Sequence, residues 1–357
     1  MNTGQVKQVV RTWIAEHHAN YPGLVAAHLV GSITTMPEGA PFPAYRDVDL
    51  HLIFAAESPA LAHGGPFSNN VETPYHGLML EGGLKAVAEY QSAERVLANP
   101  ELAHHLMVEG SILYDPDGML ARLHPHVARE FARREWVQAR MAHERRGLRT
   151  TFDLLAQTHT PSGSREVLLL GYTMTYAMAL LCVATLRAPS TGSRGLLKLR
   201  DVLAEARRLD LYEATLELMG VAASRPTSVA RLLAEGLAAF DLAVQVKRTP
   251  HPFGHKMHAH LRPYLEQACA SLIADGLHRE ALFWLTPFYL AACDIIGVDG
   301  PEPERRRFAA RLVGFLEAID MGCAAVRAAR LEQARQLHER FFVLAAKLVD
   351  QHPSIID

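Results

Sequence analysis

Two aspartates, Asp47 and Asp49, lie two residues apart inside an apolar run that reads DVDLHLIF from residue 47 to residue 54. Side chains alternate between the two faces of a β-strand, so both carboxylates are predicted to point the same way, with Cα atoms roughly 6.6 Å apart. Two anions beside buried leucines repel each other and lose hydration, so a positive partner is expected. Mg²⁺ prefers oxygen ligands and commonly takes one or two carboxylates plus substrate phosphates. The pair therefore predicts a magnesium site.

A glycine-serine pair, Gly31-Ser32, follows a short apolar run over residues 25–30 that is predicted to be the preceding strand. Glycine lets a backbone approach a ligand closely, and serine adds a hydroxyl and a backbone N–H that together can hold a phosphate. A Gly-Ser pair alone is a weak signal, but it becomes much stronger when Asp-Val-Asp follows on a strand. The residues between the two motifs, 33–46, are rich in proline and glycine, and we interpret them as an elongated loop.

This arrangement resembles the nucleotidyltransferase superfamily typified by DNA polymerase beta. The superfamily signature is an apolar residue, Gly-Ser or Gly-Gly, a loop, and then Asp-apolar-Asp/Glu-apolar on a strand. Here it reads Val30-Gly31-Ser32 and Asp47-Val48-Asp49-Leu50, with a slightly longer spacing than is usual. The layout is most similar to the small-molecule branch, which includes the aminoglycoside nucleotidyltransferases and joins a catalytic domain to a helical one. The specific resemblance covers about residues 24–118.

The resemblance implies a third carboxylate on a later strand. Glu81, which ends the segment YHGLMLE, is the best match. In this superfamily such a residue binds the second metal ion or takes the proton from the acceptor hydroxyl, and a carboxylate within hydrogen-bond reach can do so. A solvated glutamate before Gly82 is the alternative. Asp115 and Asp117 are rivals, but the turn sequence DPDG already explains them.

The implied activity is an Mg²⁺-dependent transfer, with two ions expected, of a nucleoside monophosphate to a hydroxyl group of a small molecule. The donor is a nucleoside triphosphate, with ATP expected, and pyrophosphate leaves. Asp47, Asp49 and Glu81 are the expected metal-binding and catalytic residues, while Gly31 and Ser32 are expected to bind the nucleotide. An aminoglycoside-like antibiotic is the acceptor that the branch suggests. Transfer to a macromolecule (RNA or protein) and a non-catalytic nucleotide-binding or toxin–antitoxin module stay open as alternatives.

Basic residues begin a predicted helix over residues 194–209. Lys198 follows Arg194 by four residues, so the two share a helix face. The resemblance places Arg194 or Lys198 at the triphosphate, and the alternative is a solvated face paired with Asp201 and Glu205. Some relatives build the active site between two subunits, so a homodimer is also left open.

The pattern of helix and strand signals predicts an α+β protein. Residues 1–118 are predicted to form a nucleotidyltransferase domain with a small mixed sheet, and residues 119–357 an α-helical domain with a subdivision possible near residue 250. The first part is expected to contain helices at 4–18 and 83–94 and strands at 25–30, 48–54, 75–81 and 111–114. After Gly118 only helical periodicity is found.

Charge is distributed unevenly along the chain. Residues 1–120 hold five of the 36 basic residues and thirteen of the 38 acidic ones, a net of −8, so the remainder has a net of +6. Such a division suits a site with cations on one wall and an anion on the other, although two domains that merely differ in surface charge explain it equally well. The arginine-rich stretch 122–149 could meet RNA, but a pI near 6.8 argues against strong nucleic-acid binding.

Composition also predicts a soluble cytoplasmic protein. The four cysteines are far apart in helical patterns, which is typical of reduced core thiols. No apolar run is expected to span a bilayer, and the N-terminal segment lacks a signal-peptide core. The histidines between His251 and His260 could include an i, i+3 zinc pair, His255 and His258, but solvated or helix-start histidines are the favoured interpretation.

Overall fold

The computed structural model describes residues 1–43, 46–61, 70–158, 160, 162–189 and 192–357. It confirms an α+β protein in which a five-stranded mixed sheet near the N-terminus is followed by a helical region. Internal contacts divide the chain into two units, one of Met1–His143, Leu186–Pro189 and His352–Asp357, the other of Glu144–Thr185 and Ser190–Gln351. The domain boundary at residue 118 and the subdivision near 250 stay predictions. Ala44 and Tyr45 of the predicted loop lie outside the described residues.

The first unit is built around the sheet. Its helices and strands are α1 (Thr3–His17), β1 (Leu24–Leu29), β2 (Asp47–Phe54), β3 (Asn70–Tyr75), β4 (Leu78–Ala86), α2 (Ala93–Leu97), α3 (Pro100–Leu106), β5 (Ile112–Tyr114), α4 (Met119–Glu130) and the start of α5 (Arg134–Gln157). The strand order is β3-β4-β2-β1-β5. β2 and β4 pair in parallel and the other neighbours are antiparallel, so the predicted mixed sheet is confirmed.

The strand predicted at 75–81 is found in part, since β4 begins at Leu78, whereas the helix predicted at 83–94 is wrong because β4 continues to Ala86. The chain instead makes a hairpin between β3 and β4, turning at His76 and Gly77, which both have positive φ. β4 then continues to Ala86 because Leu78, Leu80 and Leu84 alternate toward the apolar core. Gly82 extends that alternation, since a Cβ there would stand 2.8 Å from Leu52 Cδ1. The period of two and the pairing with β2 outweigh the helical appearance of the sequence after residue 83.

Each face of the sheet has its own core. α1, which begins at a capping box between Asn2 and Gln5, packs Trp13 and neighbouring apolar residues against the face that carries Leu50 and Leu52. The opposite face carries Ile53 and packs on α2, α3 and α4. Alternation along β2 places Asp47, Asp49 and His51 on this second face, beside Ile53. The predicted magnesium ligands therefore share a face with an apolar core that lies further along the strand.

The second unit is helical throughout its described residues apart from connecting turns. It contains the rest of α5 and then α6 (Ser164–Ala184), α7 (Gly195–Glu205), α8 (Leu209–Leu218), α9 (Pro226–Val246), α10 (Arg262–Ala274), α11 (His278–Asp299), α12 (Glu302–Ala318) and α13 (Ala324–Gln351). The helical character predicted beyond Gly118 is confirmed. The helix predicted over 194–209 ends at Glu205.

Two helices of this unit bear on the expectation that no segment spans a bilayer. α6 and α11 are each long enough and apolar enough to span a bilayer. By length and composition, the expectation that no apolar segment can span one is therefore wrong. However, 67% of the most apolar stretch of each is buried inside the structure, as in the core helices of soluble proteins. The structure is compatible with a soluble protein, and a cytoplasmic location stays a prediction.

His338 is a buried titratable group on α13. Its side chain is 1% exposed, and its ring meets the ring of Phe152 edge-on at a centroid distance of 5.4 Å. Burial lowers the pKa of His338 from 6.5 to about 3. The folded chain therefore keeps this imidazole neutral at pH values where an unfolded chain would protonate it.

We expect His338 to destabilise the fold in acid. Between the unfolded pKa of 6.5 and the folded pKa of about 3, only the unfolded state binds the proton, so stability falls as pH decreases, by up to about 1.4 kcal/mol per pH unit. The variant His338→Leu should lose less free energy of unfolding than the wild type between about pH 7 and about pH 5, as measured by urea denaturation. His76→Asn, at an exposed position, should follow the wild type. Parallel curves for the wild type and His338→Leu would contradict the assignment.

Candidate metal centre

Three carboxylates converge at the first unit's sheet. Asp47, Asp49 and Glu81 each offer an oxygen, and these oxygens all lie within 4.8 Å of one another. All three residues are partly buried. They form the only such group of three or more histidine, cysteine, aspartate or glutamate side chains among the described residues. The structure therefore brings together the three acidic residues that the sequence predicts as metal ligands.

The register of the two parallel strands produces this convergence. Asp49 on β2 stands opposite Glu81 on β4, and Asp47 stands opposite Met79. Directly paired residues point to the same face of a sheet, so Glu81 projects beside Asp49 while Asp47 joins them from two positions earlier on β2. A shift of the register by one residue would turn Glu81 to the opposite face.

Gly31 fits closely against the carboxylate of Asp49. The glycine follows β1 with φ +68°, and a Cβ added to it would lie 2.1 Å from Asp49 Oδ2. The strand before the turn is fixed as well, because the Val30 N–H donates to the Asp49 carbonyl at 2.9 Å. Only glycine satisfies both the positive φ and the close approach. The Gly-Ser motif and the aspartates therefore belong to one site, as the sequence predicts.

Ser32 lies in a 3₁₀ turn that begins at Gly31 and ends at Thr34. Its side chain is exposed, and its carbonyl accepts from the Thr35 N–H at 3.3 Å. The serine is thus beside the carboxylates and open to solvent, which suits the phosphate-binding role predicted for it. That role itself stays a prediction.

His105 holds the Gly31–Thr34 turn in place through hydrogen bonds. Nothing in the sequence indicated this role. The Gly31 N–H donates to His105 Nε2 at 3.3 Å, so that nitrogen carries no proton. The other nitrogen, Nδ1, lies 3.4 Å from the Thr34 hydroxyl oxygen, and this hydroxyl donates to the Gly31 carbonyl at 2.8 Å. A neutral imidazole with its proton on Nδ1 satisfies all three contacts. The buried ring therefore holds both ends of the Gly31–Thr34 turn.

A polar network continues along the same face of the sheet below the carboxylates. His28 bonds the Leu29 carbonyl through Nδ1 at 3.1 Å, so its Nε2 accepts from the Tyr90 hydroxyl at 2.8 Å. Tyr90 in turn accepts from His51 Nδ1 at 3.0 Å. His51 Nε2 then donates to Glu101 at 3.0 Å. The buried polar atoms of His28, Tyr90 and His51 all have partners in this network, so it can lie in a core without a large desolvation penalty.

The network fixes the charge of its members. Burial lowers the pKa of His28 well below its usual value, and the neighbouring His51 acts in the same direction, so His28 is neutral. Desolvation raises the pKa of Glu101, but the charges and hydrogen bonds of His51 and Lys85 outweigh it and hold this pKa well below its usual value. Glu101 also accepts from Lys85 at 3.0 Å. A cluster of polar and charged side chains therefore lies on the same face of the sheet as the three carboxylates. Its residues come from β1, β2, β4 and α3.

Glu72 adds a fourth carboxylate to the row. It stands on β3 directly opposite Glu81, so it projects from the same face, although it is not part of the group within 4.8 Å. Nothing in the sequence indicated Glu72, because the strand β3 was not predicted and the residue opposite Glu81 was therefore unknown. It places a further acidic side chain beside Glu81.

Arg194 and Lys198 both lie in the second unit. Arg194 immediately precedes α7, is about half exposed and approaches Asp275 at 4.0 Å. Lys198 lies within the first turns of α7. The neighbouring Arg200 approaches Asp201 at 4.0 Å, which is the kind of pairing that the alternative interpretation expects. Nucleotide binding by Arg194 or Lys198 stays a prediction.

The histidines from His251 to His260 do not form one helical face. His255 lies in a short 3₁₀ turn over Gly254–Lys256, and His258 precedes another over Ala259–Leu261. His251 Nδ1 accepts from the Phe253 N–H at 3.1 Å. The i, i+3 helical geometry of a zinc pair is therefore absent at His255 and His258, in line with the favoured interpretation.

A scan against protein-family models, a search of curated proteins and a search of solved structures each found no match. The chemistry of the site consequently has to be inferred from its own residues.

We expect the substitution Gly31→Ala to disrupt the carboxylate cluster. The added methyl group would displace Asp49, so Mn²⁺ affinity measured by calorimetry should fall more than about tenfold, with a loss of about 1–2 kcal/mol of stability from the positive φ. Gly77→Ala is the matched control, because Gly77 has φ +78° but no atom within 4 Å of the added Cβ. It should lose similar stability and keep its metal affinity. Equal metal affinities in the two variants would show that Gly31 does not position Asp49.

Proposed function

We propose that this chain is an Mg²⁺-dependent nucleotidyltransferase that moves a nucleoside monophosphate from a nucleoside triphosphate, ATP in the first instance, to a hydroxyl group of a small molecule. The observation that carries the proposal is the cluster of Asp47, Asp49 and Glu81, whose oxygens lie within 4.8 Å, together with the Gly31 turn packed on Asp49. Sequence motif and geometry agree on one site, and the fold around it is an α+β unit with a mixed sheet.

The donor set fits Mg²⁺. It consists of carboxylate oxygens only, which hard divalent cations prefer, and it has no thiol or imidazole within the 4.8 Å group. Three anions this close repel each other strongly unless a cation lies among them. Asp47, Asp49 and Glu81 would hold the ion. When bound there, Mg²⁺ would supply neutralisation of the charge that develops on the triphosphate and the departing pyrophosphate.

The residues of the chain have separable tasks in this scheme. The Gly31–Ser32 turn presents a backbone N–H and a hydroxyl beside the carboxylates, where they can bind and orient the triphosphate. His105 keeps that turn in place through Gly31. Glu81, at the edge toward β3, either completes the cation site or accepts the proton of the attacking hydroxyl. An attack in line with the departing pyrophosphate needs no covalent intermediate on the protein.

The chemical class of the acceptor is inferred from the charge around the site. Glu81 belongs to the group of three carboxylates and Glu72 stands opposite it on β3, so the site is rich in acidic side chains. This supports a cationic, polyhydroxylated acceptor, and an aminoglycoside-like molecule is the class that combines both properties.

The direct test is release of pyrophosphate. The full chain is incubated with Mg²⁺, labelled ATP and a panel of hydroxylated amines and sugars, and products are followed by mass. We expect one acceptor class to gain a nucleotidyl group, and we expect Asp47→Asn to lower the rate at least about 10²-fold through loss of a cation ligand. Substituting Glu81→Gln separates its two roles, since a base can be lost without loss of Mg²⁺ affinity.

Asp117→Asn is the matched control. It makes the same change of charge in the same unit at an exposed residue, and its activity should equal that of the wild type. Unchanged activity in Asp47→Asn would contradict the assignment of Asp47 to the site. The absence of nucleotide binding at millimolar Mg²⁺ would exclude a nucleotidyltransferase altogether. Binding of nucleotide without turnover of any acceptor would favour the non-catalytic module.

A further inference from the structure

A basic groove lies between α5 and α13 in the second unit. It has a volume of about 380 Å³, which is within the range of small-molecule sites. Six of the residues that line it are basic or aromatic: Arg145, Arg149, Phe152, Arg335, His338 and Phe342. The proposed nucleotidyltransferase site uses none of them.

Two reciprocal contacts hold the ends of the groove. The guanidinium of Arg145 on α5 lies 4.6 Å from the ring centre of Phe342 on α13. In the other direction, the guanidinium of Arg335 on α13 lies 4.8 Å from the ring centre of Phe152 on α5. The two contacts are seven residues apart on each helix, about two turns or roughly 10 Å. Each guanidinium lies over a ring face, and this contact attracts it toward one wall of the groove.

Arg149 and His338 lie between the two contacts. Arg149 is four residues after Arg145, and His338 is three residues after Arg335, so both occupy the middle of the groove. His338 is 1% exposed, yet neither of its ring nitrogens has a hydrogen-bond partner. A buried imidazole in this state is energetically costly. A ligand that accepts the ring N–H would remove the cost.

The arginines that line the groove lack the ion pairs that two other arginines of α13 make. Arg330 pairs with Asp320 at 2.9 Å, and Arg340 pairs with Asp210 at 2.8 Å. Within the described part of the chain, Arg145, Arg149 and Arg335 have no carboxylate partner, and Arg145 and Arg335 contact only aromatic rings. Three guanidinium groups therefore surround one cavity with their donors available.

We propose that this groove binds a phosphorylated sugar. Guanidinium groups hold phosphate oxygens in bidentate geometry, and Arg145, Arg149 and Arg335 surround the cavity from both helices. His338 supplies a further N–H donor in the middle. Two exposed carboxylates, Glu332 and Glu339, also line the groove, and they would accept hydrogen bonds from sugar hydroxyls. A polyhydroxylated monophosphate therefore matches the mixed lining better than a bare inorganic anion or a polyanionic strand.

Calorimetry with ribose 5-phosphate tests this proposal on the full chain, without Mg²⁺ or nucleotide, so that its outcome is independent of nucleotidyl transfer. We expect millimolar or tighter binding of ribose 5-phosphate, weaker binding of inorganic phosphate and no binding of ribose. Arg149→Gln should weaken binding at least about tenfold. This variant is informative because Arg149 makes no ring contact in the structure, so the stacked pairs that join the helices are kept.

Arg340→Gln is the matched control, since it removes an arginine from α13 outside the groove and leaves Asp210 with Arg208, 2.8 Å away. Its affinity for ribose 5-phosphate should equal that of the wild type. Equal affinities for Arg149→Gln and the wild type would overturn the proposal. So would the absence of ribose 5-phosphate binding, or binding of a single-stranded oligonucleotide by a chain that does not bind the monophosphate, which would indicate a nucleic-acid surface instead.

Discussion

Repulsion among three carboxylates is the constraint on which the structure of the first unit depends. Asp47, Asp49 and Glu81 are held with oxygens within 4.8 Å of one another, on a sheet face that carries an apolar core further along the strand. Like charges at that distance destabilise a fold unless a cation lies among them. The sheet keeps them together because the parallel register of β2 and β4 and the cores on both faces resist any slip. Under the proposed function, this is stability given up in order to bind a divalent cation.

The surrounding residues limit where the carboxylates can move. Gly31 leaves no space for a side chain beside Asp49, and His105 secures the glycine from beneath. Further along the same face, His51 and Glu101 extend the support through hydrogen bonds rather than loose packing. A site whose ligands are fixed before binding loses less entropy when the ion and the triphosphate arrive.

The sequence allowed prediction of what depends on local pattern. Alternation along one strand predicts that Asp47 and Asp49 share a face, and the structure places them so. Glu81 was found only through the resemblance to a family, because which strand lies beside β2 is a property of the tertiary fold. His105 and Glu72 were not predicted for the same reason, since their roles arise from contacts across the sheet and between distant segments. The helix expected at 83–94 was wrong because strand pairing outweighed local periodicity.

Crystals grown with Mn²⁺ and a non-hydrolysable nucleoside triphosphate would test the central claim most directly. The anomalous signal of manganese locates the ion without assumptions about the protein. The account predicts a peak within bonding distance of Asp47 and Asp49, with the triphosphate against the Gly31 turn. A site with ordered carboxylates and no manganese peak, or a peak held by other residues, would contradict it.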